Sequence, residues 1–385
     1  MPTVFSQRQL DDYLVQFRRA FPRRDQLRWA NLYLQGLLRD LPRKNVQTMA
    51  QHLRLPKGLK IKDVTQALQH FLNQSPWDER DVLHCYRALA AQRFADSGGV
   101  LVLDEITFPK QGRQSVGVQR QYSASLGQKL NCQIAVAVHL VGPAGCYPLG
   151  IRLYLPGRWL QSPQLLDAAG VPQACRRRMT KWQIALEILD ELRSDGMPVR
   201  CVISGQGFRA SPEALEALTQ QTVDWLIEVS EELVVRLHPS DARVAATVTQ
   251  PLPLRELVKE FPLAPLPAGA RDVKASRLAW VPVYLEGDLL GPARAGAERV
   301  SLLIESRGES NPVFALTNLP AETTLSEAGH CWEGRRHAAE SIQQMKAELG
   351  LDHFEGRSWR GFHHHACLVM LARGLLLAVK AQGCP

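Results

Sequence analysis

Asp104 and Glu105 stand together at the end of an apolar run, VLVLDEITF. Carboxylates at a strand end are hard oxygen ligands, suited to a divalent cation; the alternative is a strand-terminal acid at the surface. A second group with ligand chemistry is His363-His364-His365 with Cys367. Lys110, Arg113 and Lys129 flank the strands around that first acid, as phosphate contacts or as a solvated hairpin. Trp159, Trp182, Trp280 and Trp359 could stack on bases or pack inside. No glycine-rich dinucleotide loop, P-loop or Ser/His/Asp arrangement points to another enzyme.

The elements that position these residues fall into distinct stretches. Residues 1–95 read as helices, with apolar positions at helical spacing in LDDYLVQFRRAF and LRWANLYLQGLL. Asp63 and Asp78 sit where helix N-caps belong. Basic clusters lie at the helix ends: Arg18, Arg19, Arg23 and Arg24, then Arg39, Arg43 and Lys44, then Lys57, Lys60 and Lys62. The net charge is +8, and residues 1–95 carry all of it, with 16 basic and 8 acidic residues against 30 of each in the other 290. A localised basic excess suits a polyanion, most simply nucleic acid. The other reading is a well-solvated helical surface.

After Gly98-Gly99 the pattern changes to strands: VLVLDEITF (100–108), SVGVQRQYSAS (115–125), CQIAVAVHLV (132–141) and YPLGIRLYLP (147–156). A helix is expected over 180–196, with Thr180 as N-cap and Gly196 as its stop. A strand at 199–205, a helix at 211–221 and a strand at 223–230 follow. This order is that of a ribonuclease-H-like fold. Proline-rich, strand-like residues 231–312 read as a β-rich insertion, and helical periodicity returns at 333–349 and 363–381. The expected architecture is α/β: a ribonuclease-H-like mixed sheet with a β-rich insertion, preceded by an all-α N-terminal domain. The segments are 1–95, 96–230, 231–312 and 313–385. Eight Cys without a CxxC pair, no apolar h-region and no convincing membrane span are expected of a cytoplasmic, nucleoid-associated protein with reduced thiols.

Four blocks carry a family resemblance: SVGVQRQYSASLGQKLNCQIAVAV, IRLYLPGRW, TKWQIALEILDEL and MKAELGLDHFEGRSWRGFHHHACLVMLA. Together they resemble the insertion-sequence 701 family of transposases, within the transposases that carry an insertion-sequence 4-type DDE domain. The resemblance spans about residues 25–380. It implies cut-and-paste DNA transposition, a ribonuclease-H-like catalytic domain, a β-rich insertion before the last catalytic acid, and three acids that hold two Mg²⁺ ions. Two such ions, about 3.5–4 Å apart, activate the nucleophile and stabilise the leaving oxygen of an in-line displacement.

By this resemblance the first acid maps onto Asp104. The second belongs to a motif like ADxGYG, and the chain reads VISGQGFR there, which puts Gly205 at the acid's position. The third belongs to a helical signature of Tyr, Arg, Glu and Lys. Trp332, Arg335 and Lys346 fit its spacing, and Ala339 stands at the Glu. Glu340 is one residue away, a rotation of about 100° on a helix. Asp224 and Glu228 match no family acid. The family tail carries similar histidines without a zinc site, so His363–His365 read as structural.

Two of three metal ligands are thus replaced, which implies a pseudo-enzyme that binds double-stranded DNA resembling a transposon end. It would act as a regulator, accessory subunit or repurposed factor, with a dimer surface on the core and no membrane. Its DNA contacts would come from Arg335, Lys346, Trp332, Lys110, Arg113 and the N-terminal basic residues. The rival expectation is an active transposase that uses Asp104 with Glu340 and Mg²⁺; an inactive chain needs no cofactor.

Overall fold

The structure is a computed structural model that describes residues 5–56, 61–94, 99–205, 207–237, 250–257, 264–265, 276–285, 299–307 and 312–382. Helices come first. They are α1 (Gln7–Val15), α2 (Arg24–Leu38), α3 (Val46–His52), α4 (Val64–Asn73) and α5 (Glu79–Phe94). Their starts follow from side chains that satisfy the first free amides. Asp63 accepts from the Gln66 amide at 3.0 Å, and Asp78 from the Arg80 amide at 2.8 Å.

Strand β1 (Val100–Pro109) follows, then β2 (Gln119–Ser123), β3 (Gln128–Gly142) and β4 (Gly145–Leu153). Short helices α6 (Gly157–Leu160) and α7 (Pro163–Ala168) lead to α8 (Lys181–Ser194). Thr180 caps α8 through a reciprocal box with Gln183, and Gly196, at φ 78°, ends it. The remaining elements are β5 (Cys201–Ser204), α9 (Pro212–Gln220), β6 (Asp224–Val229), β7 (Val234–Leu237), β8 (Leu252–Pro253) and α10 (Leu254–Leu257). Then come β9 (Ala264–Pro265), β10 (Ser276–Leu285), β11 (Arg299–Arg307), β12 (Val313–Thr317), α11 (Leu325–Leu349) and α12 (Trp359–Gln382).

The chain forms two compact units. One holds residues 1–99, 104–198 and 338–385. In it, β3 lies between the later half of β1 and the strands β2 and β4, to both of which it is antiparallel. Helix α12 packs on β4 and on α2, α4 and α5. It is long and apolar enough to cross a membrane, but 78% of its apolar window is buried inside the fold, as befits a core helix. Helices α1–α5 belong to the same unit as α12. Apolar faces such as Leu34 and Leu37 on α2 and Phe71 and Leu72 on α4 need cover, and the buried residues of α12 supply it.

The other unit holds residues 100–103 and 199–337. The first half of β1 runs parallel to β5, and β5 runs parallel to β6. Strand β12 is antiparallel to β6 and extends the sheet through β11, β10, β7 and β8. Among the described residues of 231–312, β7, β8, β10 and β11 belong to this unit's sheet, chiefly by the long β10–β11 pair from Ser276↔Arg307 to Tyr284↔Arg299.

Candidate functional site

Asp104 is only 2% exposed, and its Oδ1 accepts from the Glu105 amide at 2.8 Å. Glu105 points into the protein as well. It forms an ion pair with Lys181 at the start of α8 and accepts from the Ala124 amide at 2.9 Å. Both acids of the DE pair are thus built into the same unit, and Glu105 fastens the β2–β3 turn to β1.

Helix α11 brings its second half to this unit. Lys346 donates from Nζ to the Thr107 carbonyl at 2.8 Å and lies 5.6 Å from the centroid of the Phe108 ring. Burial lowers its pKa, against the opposing pull of Asp352 and Asp104. Asp104 and Glu340 both act on the buried Cys146 thiol. Burial is the main cause that pushes this thiol up to about 12, and the two carboxylates add to it. Glu340 itself is on the exposed face of α11, one position beyond half-buried Ala339.

The second unit holds the remaining positions. The parallel register pairs Leu103 with Ser204, and the Gly205 amide donates to the Leu103 carbonyl at 2.6 Å. Gly205 therefore ends β5 one residue beyond the pair that precedes Asp104 in the chain. Its side chain offers no ligand atom. Trp332 and Arg335 lie on the first half of α11. Trp332 is 2% exposed and donates from Nε1 to Glu305 Oε2 at 2.9 Å. Arg335 forms an ion pair with the same carboxylate, and its guanidinium carbon sits 4.0 Å from the Trp332 ring centroid. Glu305, on β11, is the member sequence reasoning missed. Its signal was a single acid inside the apolar strand RVSLLIESR. Asp224, at the start of β6, has its pKa raised by burial.

The basic residues separate by burial. Arg18, Arg19, Arg24 and Arg113 are exposed. Arg23 is held by Asp25, and Arg43 is held by Glu355 at 2.6 Å. Lys44 is buried: its ammonium donates to the Leu37 carbonyl at 2.7 Å and also to that of Arg39, at the end of α2, and burial lowers its pKa. This ammonium is committed to a helix end and does not face solvent. Lys110 donates to the Phe354 carbonyl at 3.0 Å, and burial lowers its pKa too. Lys57 and Lys60 lie outside the described residues.

The three histidines diverge. His363 Nε2 accepts from the Leu153 amide at 3.3 Å, His364 stacks on Trp77 with centroids 3.6 Å apart, and His365 Nδ1 meets the Tyr33 hydroxyl at 2.8 Å. Burial lowers all three, to about 4, 3 and 4 respectively. Among the described residues no group of three His, Cys, Asp or Glu side chains could hold a metal ion. The described residues thus present no set of three carboxylates for a two-metal site.

The family described as DDE superfamily endonuclease matches residues 16–283. The chain belongs to this family. It is also 25% identical over 231 residues to the "Probable transposase for insertion sequence element IS701" of Microchaete diplosiphon, an alignment that covers 60% of this chain and 56% of that protein. The chain thus matches a little over half the length of that relative.

Proposed function

We propose that this chain is a DNA-binding protein derived from a DDE transposase, with the scaffold retained and two-metal phosphodiester chemistry lost. Gly205 carries this reading. The resemblance puts the second acid at Gly205, which follows Ser204, the β5 partner of Leu103, and glycine has no oxygen to offer. Three further strand relationships support a ribonuclease-H-like core: β3 beside β1, β4 antiparallel to β3, and β5 and β6 parallel to β1. One carboxylate cannot offset the charge of two Mg²⁺ ions or fix their separation, so the loss should abolish cleavage instead of slowing it. The basic excess of residues 1–95, with exposed Arg18, Arg19 and Arg24, supports contact with double-stranded DNA resembling a transposon end.

The test is Mg²⁺- or Mn²⁺-dependent nicking of DNA that carries the sequence flanking the gene, with the natural chain beside the variant Gly205→Asp, Ala339→Glu. The expected result is cleavage by the restored variant alone. Cleavage by the natural chain that disappears on Asp104→Ala would overturn the reading. A second reading keeps activity through Asp104 and Glu340, which belong to the same compact unit. It requires Glu340→Gln to abolish nicking by the natural chain.

A further inference from the structure

The hairpin formed by β2 and β3 carries an exposed aromatic ring between cations. Tyr122 is 56% exposed and Leu126 in the turn is 48% exposed. They are two of the three large exposed apolar side chains among the described residues. Alternate residues of a strand share a face, so Arg120 lies on the same face as Tyr122. Lys129 is its direct cross-strand partner in the register Tyr122↔Lys129. Both cations are exposed, as is Gln128. From Ile106 to Leu166 the chain holds six basic residues and no acidic one.

This ring stands on a braced turn. The Ser123 hydroxyl lies 2.7 Å from that of Thr107 and 3.1 Å from that of Ser125. It also accepts from the Leu126 amide at 3.1 Å. The Ala124 amide is held by Glu105, which is itself paired with Lys181. Gly127 closes the turn at φ 65°, a conformation that favours glycine. Exposure here is therefore the built state of the hairpin.

A π-face flanked by two cations, on a stretch without acids, complements a base and its neighbouring phosphates. Paired bases inside a duplex present edges in the grooves and keep their faces stacked, so the ring needs an unpaired base. We propose that Tyr122 is a stacking platform for an unpaired nucleotide of the bound DNA, with Arg120 and Lys129 on the adjoining phosphates. This rests on the DNA-binding reading above.

The test uses the full chain with two duplexes of one sequence, one blunt and one with a three-nucleotide single-stranded overhang carrying 2-aminopurine. Fluorescence reports stacking, and anisotropy reports affinity. The natural chain and Tyr122→Phe should quench the overhang probe and prefer the overhang DNA. Tyr122→Ala should lose the quench and roughly tenfold in overhang affinity, the scale of one base stacked on an aromatic ring, with blunt-duplex affinity unchanged. Retention of quench and preference in Tyr122→Ala would overturn the proposal, and so would a natural chain that binds both duplexes equally without quenching. A natural chain that binds neither duplex would overturn the DNA-binding reading itself.

Discussion

His363, His364 and His365 differ in partner but share one electrostatic condition with His139. All four are buried neutral, with pKa values lowered by burial to about 4, 3, 4 and 3. Among the described residues neither ring nitrogen of His139 has a hydrogen-bond partner. An unfolded chain binds a proton on each near pH 6.5. The unfolded state therefore holds more protons between pH 6.5 and the folded values, and stability falls as pH drops through that window. Each histidine would forfeit on the order of 2 kcal/mol by pH 5, a sizeable part of a domain's stability. Thermal unfolding followed by circular dichroism should show Tm falling steeply from pH 7 to pH 5. His139→Leu should reduce that dependence by one proton and raise Tm most at pH 5. An unchanged slope in this variant would show that His139 titrates normally. The histidine run was legible as structural through its family resemblance. Its three-way divergence was not, because Tyr33, Trp77 and Gly350 are brought to it only by long-range packing.

At the scale of elements, local signals were readable where a single side chain decides. Asp63, Asp78, Thr180 and Gly196 each act on amides or carbonyls a few residues away, and all four mark helix ends as expected. The strands at 100–108 and 132–141 were plain from continuous apolar runs, and both lie within β1 and β3. What the sequence could not convey was docking. Helices α1 and α5 meet α12 at Gly374, where an added Cβ would sit 2.5 Å from Tyr86 Cε2 and 2.9 Å from the Tyr13 hydroxyl. Nothing within LARGLLLAV indicates which helices approach it. Gly374→Ala should therefore destabilise the chain by about 1–3 kcal/mol through overpacking, although alanine is the better helix former. Denaturant titration checks this: a lower midpoint supports the tight approach, and a higher one would mean that α1 and α5 stand farther from α12. The same long-range character hid the fate of Lys44, which in sequence looks like its neighbour Arg43 and in the fold caps α2 from inside.

For the whole chain, the charge excess of residues 1–95 is a surface property only in part. Of the basic residues expected to meet DNA, Arg18, Arg19, Arg24 and Arg113 are exposed, while Lys346, Lys110, Lys44 and Arg335 are committed to carbonyls or to Glu305. Phosphate contacts release counterions, so each contributes about −0.9 to the slope of log affinity against log salt on duplex DNA. Cations already spent inside the fold contribute nothing to that slope. The triple variant Arg18→Gln, Arg19→Gln, Arg24→Gln should therefore flatten the slope by up to about 3, and weaken binding to all duplex sequences alike, since phosphates carry no sequence information. Lys346→Met should leave the slope unchanged and lower Tm instead, because it removes the donor to the Thr107 carbonyl. Anisotropy with a labelled duplex over about 50–200 mM salt separates the two cases. A flattened slope for Lys346→Met, with none for the triple variant, would move the DNA from the helical surface to the strand that bears Asp104.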